Sequence, residues 1–126
     1  METTPYEMLG GETGVRRLAE AFYDAMVELP EAADLRALHN EDLSGIKRKL
    51  FEYLSGWLGG PMIYFEKYGG VCIRSVHARF PIGAAERDQW LLCMREAMRR
   101  VNAPPQVAAL LDLPFARMAE AMRNRA

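Results

Sequence analysis

The chain has 126 residues, half of them hydrophobic and 26% charged, with a formal net charge of -1. That length suits a single domain over residues 1–126 whose core can also hold a cofactor, and the composition excludes a disordered chain. The near-neutral charge leaves no footprint for nucleic acid or an anionic membrane, and no apolar run is long enough to span a bilayer.

The opening METTPYEMLGG has neither a basic start nor an apolar stretch, so a cytoplasmic protein without a secretory leader is expected. Thr4 and Pro5 have the chemistry of a cap and first residue of a short helix, which Gly10 and Gly11 end. From Thr13 to about Leu29, Val15, Leu18, Phe22, Met26 and Leu29 follow steps of three and four, the buried face of a helix that Pro30 stops. Ala32 to Leu38 has room for one or two turns. A third helix starts near Asp42 or Ser44, either able to cap it, with Leu43, Ile46, Leu50, Leu54 and Trp57 on one face. Gly59-Gly60-Pro61 ends it.

Pro61 to Gly83 has a different character. Paired glycines, mixed aromatics and charges, and Pro81 leave room for at most a short helix around Ser75 to Arg79. After Gly83 a long helix runs to about Asn102, with Trp90, Met94, Ala97 and Val101 on one stripe. Pro104-Pro105 breaks it, and a last helical region follows in which Pro114 interrupts or kinks the chain. The expected fold is all-α, with space beside the loose segment that a bound group could fill.

Chemistry is concentrated in few residues. His39 and His77 are the only histidines, and the chain lacks HExxH, GxSxG, a phosphate loop and cysteine-rich metal spacing. Cys72 and Cys93 are too few for a disulfide framework and read as reduced, buried small residues; with His39 and His77 they fit no common zinc spacing. On spacing alone His77 is a surface or half-buried loop histidine, Tyr23 and Trp90 pack in the core, and His39 is a solvated corner residue. Phe80 and Pro81 give His77 an apolar neighbour, as a haem-ligating imidazole requires.

Three stretches carry a resemblance. Arg74 to Phe80 around His77, followed by Glu86 to Met94 around Trp90, resembles the proximal-histidine and following-helix signature of group II truncated haemoglobins. Phe22-Tyr23 is similar to that family's distal tyrosine. Trp57 to Pro61, then Tyr64, Glu66 and Gly69, resembles its distal-helix end and the link beyond. Together they span nearly the whole chain in the family's order.

The resemblance implies a two-over-two helical sandwich enclosing haem b, held without thioether links because no CxxCH occurs. It implies that His77 ligates the iron, that Trp90 and Tyr23 are distal hydrogen-bond donors, and that His39 is a third candidate donor. Ile46, Leu50, Leu54, Phe80 and Met94 would line the haem, and Tyr64, Lys67 and Arg74 are the candidates for its propionates. The sequence departs from the family at Val76, where arginine is frequent, at Gly70-Val71, where His-Pro is frequent, and at Arg79, where proline is frequent.

The function so implied is reversible binding of dioxygen, carbon monoxide and nitric oxide by a monomer or homodimer. A haem redox enzyme, peroxidase-like or nitric-oxide-detoxifying, is the alternative; it needs an external reductase, since the chain carries no reductase domain. A helical interaction module without haem is the reading from a third class.

Overall fold

The structure, a computed structural model, describes residues 3–70 and 73–126. Helix α1 (Pro5–Met8) is capped by Thr4, whose hydroxyl accepts from the Glu7 N–H at 3.2 Å. Helix α2 (Gly11–Glu28) begins two residues earlier than the apolar pattern suggests. Gly10, at φ 104°, turns the chain directly from one helix into the next, a conformation that suits glycine. A 3₁₀ turn (Pro30–Ala32) leads into the short α3 (Ala33–Ala37).

Helix α4 (Ser44–Trp57) has Leu43 at its N-cap and no side-chain cap, so neither Asp42 nor Ser44 caps it as the sequence suggests. Asp42 Oδ1 instead accepts from the N–H and the hydroxyl of Ser44 in the turn ahead of it. Two short helices follow, α5 (Ile63–Tyr68) and α6 (Ile73–His77), before α7 (Ala84–Arg100) and α8 (Pro105–Met122). Helix α5 was not expected. It buries none of its own residues and therefore prints no apolar stripe in the sequence. Helix α6 lies two residues upstream of the predicted turn. Pro114 neither ends nor interrupts α8: the hydrogen bond it forgoes would reach Leu110, which is 59% exposed, so water can replace it.

The long helices form two pairs, α2 with α4 and α7 with α8, joined chiefly where α2 packs on α7. Leu18, Phe22 and Met26 of α2, Leu54 of α4 and Met94 of α7 are essentially inaccessible at that junction. Each such side chain stabilises the fold by roughly 1.5–3 kcal/mol through burial. Trp57 stacks on Phe115 at 4.9 Å and 23°, tying the end of α4 to α8. Among the described residues there is no strand, and no helix is long and apolar enough to cross a membrane.

Beyond α8 the chain turns extended at Arg123 (φ -68°, ψ 132°) and lies against the loop that follows α6. The Asn124 N–H donates to the Ile82 carbonyl at 2.8 Å, and the Ile82 N–H donates back to Asn124 Oδ1 at 2.9 Å. Asn124 Nδ2 donates to the carbonyls of Phe80 (2.8 Å) and His77 (3.4 Å).

Candidate cofactor site

A cavity of about 300 Å³ lies between the helix pairs and the α6–α7 loop. Each long helix supplies a short run of one face. Helix α2 contributes Phe22, Tyr23 and Met26; α4 contributes Ile46, Lys49, Leu50 and Tyr53 at steps of three, one and three. Trp90 comes from α7, and Met118 and Met122 from successive turns of α8. His77 at the end of α6, with Phe80 and Ile82 after it, closes the remaining side.

Aromatic contacts hold the α2 and α7 walls. The rings of Phe22 and Tyr23 meet edge-on at 4.9 Å and 88°, Phe22 lies 5.3 Å from Trp90, and Tyr23 lies 5.7 Å from His39. Gln89, beside Trp90, ties α7 to α3. Its Oε1 accepts from the Leu35 N–H at 2.9 Å and its Nε2 donates to Asp34 Oδ2 at 3.0 Å. Only this orientation of the amide satisfies both partners.

Two donors on these walls are unmatched. Tyr23 is 5% and Trp90 9% exposed, and neither makes a hydrogen bond among the described residues. Among those residues, no fully enclosed side-chain nitrogen or oxygen lacks a partner. The Tyr23 hydroxyl and the Trp90 N–H must therefore meet open space, and the cavity is the space both residues border. Donors that open onto an apolar cavity instead of pairing with the protein mark a place for an acceptor. Burial pushes the Tyr23 pKa well above its ordinary value, so its hydroxyl keeps its proton.

His39 has a different state. Its Nδ1 lies 2.9 Å from the Leu35 carbonyl, which can only accept, so Nδ1 carries the hydrogen. Burial lowers its pKa, the Leu35 hydrogen bond works against that, and the charges of Arg36 and His77 add to the lowering. In the neutral ring Nε2 then carries a lone pair. The one N–H of neutral His39 is thus committed to the backbone, whereas the sequence suggested a third donor.

The cavity brings together His77, Tyr23, His39, Ile46, Leu50, Tyr64, Phe80 and Trp90. Four other predicted residues lie elsewhere. Leu54 is fully enclosed in the core behind the α4 wall. Met94, one turn beyond Trp90, borders a separate cavity of about 220 Å³ with Phe115. Arg74 is exposed on α6, outside the lining. Lys67 is drawn away by the buried Glu52, whose carboxylate also accepts from the Tyr68 hydroxyl at 3.1 Å. The cations that do border the cavity are Lys49, Arg79 and Arg87. Arg87 is engaged by Asp88 and Glu120, while Lys49 and Arg79 have no ion pair among the described residues.

Sequence reasoning missed Lys49, Arg79 and Gln89 as site residues. Lys49 and Tyr53 continue the helical face that Ile46 and Leu50 begin, so periodicity held a signal for both. Among the described residues, no three His, Cys, Asp or Glu side chains converge as a metal cluster. Cys93 is buried, its thiol pushed up to about 11 by that burial, and Cys72 lies outside the described residues.

These residues fit a haem. The His77 side chain borders the cavity, the lining is mostly aliphatic and aromatic, two donors lack acceptors, and two cations stand at the edge where a pair of propionates could be met.

Comparison with known proteins points the same way. The model of the bacterial-like globin family matches residues 4–124. A group 2 truncated hemoglobin of Bacillus subtilis (strain 168) is 34% identical over 107 residues, 85% of this chain and 78% of that protein. The group II 2-on-2 hemoglobin of Agrobacterium tumefaciens superposes with a TM-score of 0.94 at 45% identity, covering 99% of this chain and 97% of its own. The cold-adapted truncated hemoglobin of Pseudoalteromonas haloplanktis TAC125 gives 0.94 at 38% identity, over 98% and 100% of the two chains. The two-over-two arrangement of α2 with α4 and α7 with α8 is theirs as well, and the chain belongs to the bacterial-like globin family as a group II truncated haemoglobin.

Proposed function

We propose that the protein binds haem b non-covalently through His77 and uses it to bind dioxygen and other diatomic ligands reversibly. The observation that carries this reading is the pair of unmatched donors, Tyr23 and Trp90, beside an apolar cavity that also receives His77. When bound, haem supplies the iron to which a diatomic ligand attaches. The chain's own residues do the rest. His77 anchors the group, Lys49, Arg79 and Tyr64 meet its polar edge, and the Met118 and Met122 side chains exclude water. Tyr23 and Trp90 donate to whichever ligand gathers negative charge, so dioxygen is retained more strongly than the less polar carbon monoxide.

A donor of this kind in a dry pocket contributes roughly 1.4 kcal/mol or more, which is tenfold in release rate. Trp90→Phe and Tyr23→Phe keep the rings and delete the donors. Each is expected to speed dioxygen dissociation by about tenfold or more, with a smaller effect on carbon monoxide, and the double variant should depart from additivity because one acceptor is shared. Stopped-flow displacement measures all of these rates. An unchanged rate in Trp90→Phe, alone and combined with Tyr23→Phe, would reduce Trp90 to core packing and overturn the reading.

A further inference from the structure

We infer that Asn124 is a positioning residue for His77, and that its side-chain amide limits how far the imidazole can travel. The inference rests on the reading of His77 as the iron ligand. It starts from the hydrogen bonds that Asn124 makes to that part of the chain.

Helix α6 is a single turn of five residues, too short to persist by its own hydrogen bonds. Arg74, Ser75 and Val76 are exposed, and between residues 74 and 83 only Ile82 is buried. The packing partner of α6 is α8. Asn124 stands where α8 gives way to extended chain, and it engages the loop on three residues. Both backbone groups of Ile82 are taken, the carbonyl by the Asn124 N–H and the N–H by Oδ1. Nδ2 then spans the carbonyls of Phe80, at 2.8 Å, and of His77, at the longer 3.4 Å. Swapping the amide oxygen and nitrogen would set donor against donor and acceptor against acceptor, so the partners fix the orientation.

The Arg125 N–H adds a second donor to the Ile82 carbonyl at 3.0 Å. The base of this clasp is itself anchored. Glu120, on the last turn of α8, pairs with Arg87 of α7 at 2.8 Å and with Arg123 at 2.7 Å. The His77 carbonyl, which also accepts from the Phe80 N–H at 3.0 Å, is thereby tied through the Asn124 side chain to the end of α8. With its backbone held in this way, the reach of the His77 imidazole is limited to what its two side-chain torsions allow.

Asn124 is exposed, so its replacement leaves the core intact. Two variants divide its roles. Asn124→Ala removes both halves of the amide. Asn124→Asp keeps an acceptor for the Ile82 N–H and loses the donor to His77 and Phe80. Two readouts follow them: hydrogen exchange of the Ile82 amide in the haem-free protein, and the iron–histidine stretching band of the haem-loaded ferrous protein by resonance Raman.

In Asn124→Ala, Ile82 exchange should rise about tenfold, as the loss of one hydrogen bond predicts, and the stretching band should shift and broaden. In Asn124→Asp the Ile82 amide should stay protected while the band still shifts. A band identical to the parent's in both variants, or displaced only when Ile82 protection is also lost, would overturn the proposal. His77→Gly serves as the control for a separate failure. A band that survives that change would overturn the ligand assignment itself, and with it this role for Asn124, whatever Ile82 shows.

Discussion

The α2–α7 wall of the cavity and the segment from Pro61 to Gly83 face the same space, but different forces hold them. The wall is built on area. Leu18, Ala19, Phe22, Ala25 and Met26 are 0–1% exposed, and nearly all of that stabilisation is non-directional burial. Among the described residues of the segment, Ile82 alone is buried in this way. Helix α5 buries no residue, Phe65 is 57% exposed and Val76 42%. It is held at points instead: the buried Ser55 hydroxyl donates to the Pro61 carbonyl at 2.7 Å, the buried Glu52 receives Lys67 and Tyr68, and Asn124 grips the loop after α6. Point contacts fix direction with little chain, and they leave a broad apolar face for something else to cover.

The largest test of that contrast removes the group through which the segment would ligate the iron of a haem. His77→Gly is expected to abolish normal haem retention, with the Soret band restored in part by added imidazole. A variant that keeps the parent's ferrous and carbonmonoxy spectra would show that the segment holds the cofactor without its histidine.

The next compares the two regions directly. Leu54→Ala, at a position with 0% exposure, should cost about 2–5 kcal/mol in urea unfolding, whereas Phe65→Ala, at 57%, should stay within about 0.5 kcal/mol. Equal costs would mean that the segment contributes area after all. A smaller effect is expected where the wall itself uses a point contact. Gln89→Met keeps the length and loses both bonds to α3, so stability should fall by about 1–2 kcal/mol and dioxygen release should quicken as Trp90 loosens.

The smallest effect is one of pH. Burial works to raise the pKa of Glu52, but hydrogen bonds from Lys67 and Tyr68, with the charges of Lys67 and Arg48, outweigh it and lower the value from the ordinary 4.5. A carboxylate with a depressed folded-state pKa adds stability that is present above its unfolded value and lost as the pH falls through the folded one. Hydrogen exchange of the α5 amides, corrected for intrinsic rates, should therefore rise as the pH drops below 4.5, and Glu52→Gln should flatten that dependence. The amides of α2 should not respond over the same range.

The same division decides what could be read from the amino-acid sequence. Helices α2, α4 and α7 announce themselves because area-driven packing repeats every three or four residues, and the stripe that marks Val15, Leu18, Phe22 and Met26 is the buried face observed. Trp90 lies on such a stripe, whereas Tyr23 was reached through the family resemblance. Point contacts leave no period. Lys67 pairs with Glu52, fifteen residues earlier, and nothing periodic marks that contact. Asn124 and Ile82 are 42 residues apart, and nothing local distinguishes Asn124 from a fraying helix end. Helix α5, which has no buried residue, left no stripe to read.

That spacing has a consequence in time. Ribosomes add about 5–20 residues per second, so the 42 residues separating Ile82 from Asn124 represent roughly 2–8 seconds of synthesis. Throughout that interval the nascent chain carries the His77 loop without its latch. The imidazole emerges early, but the turn that aims it is fastened only when residue 124 arrives. Cofactor capture in the cell should accordingly keep pace with the appearance of Asn124 rather than of His77, and a ribosome stalled within α8 would display a histidine that is present, accessible and not yet aimed.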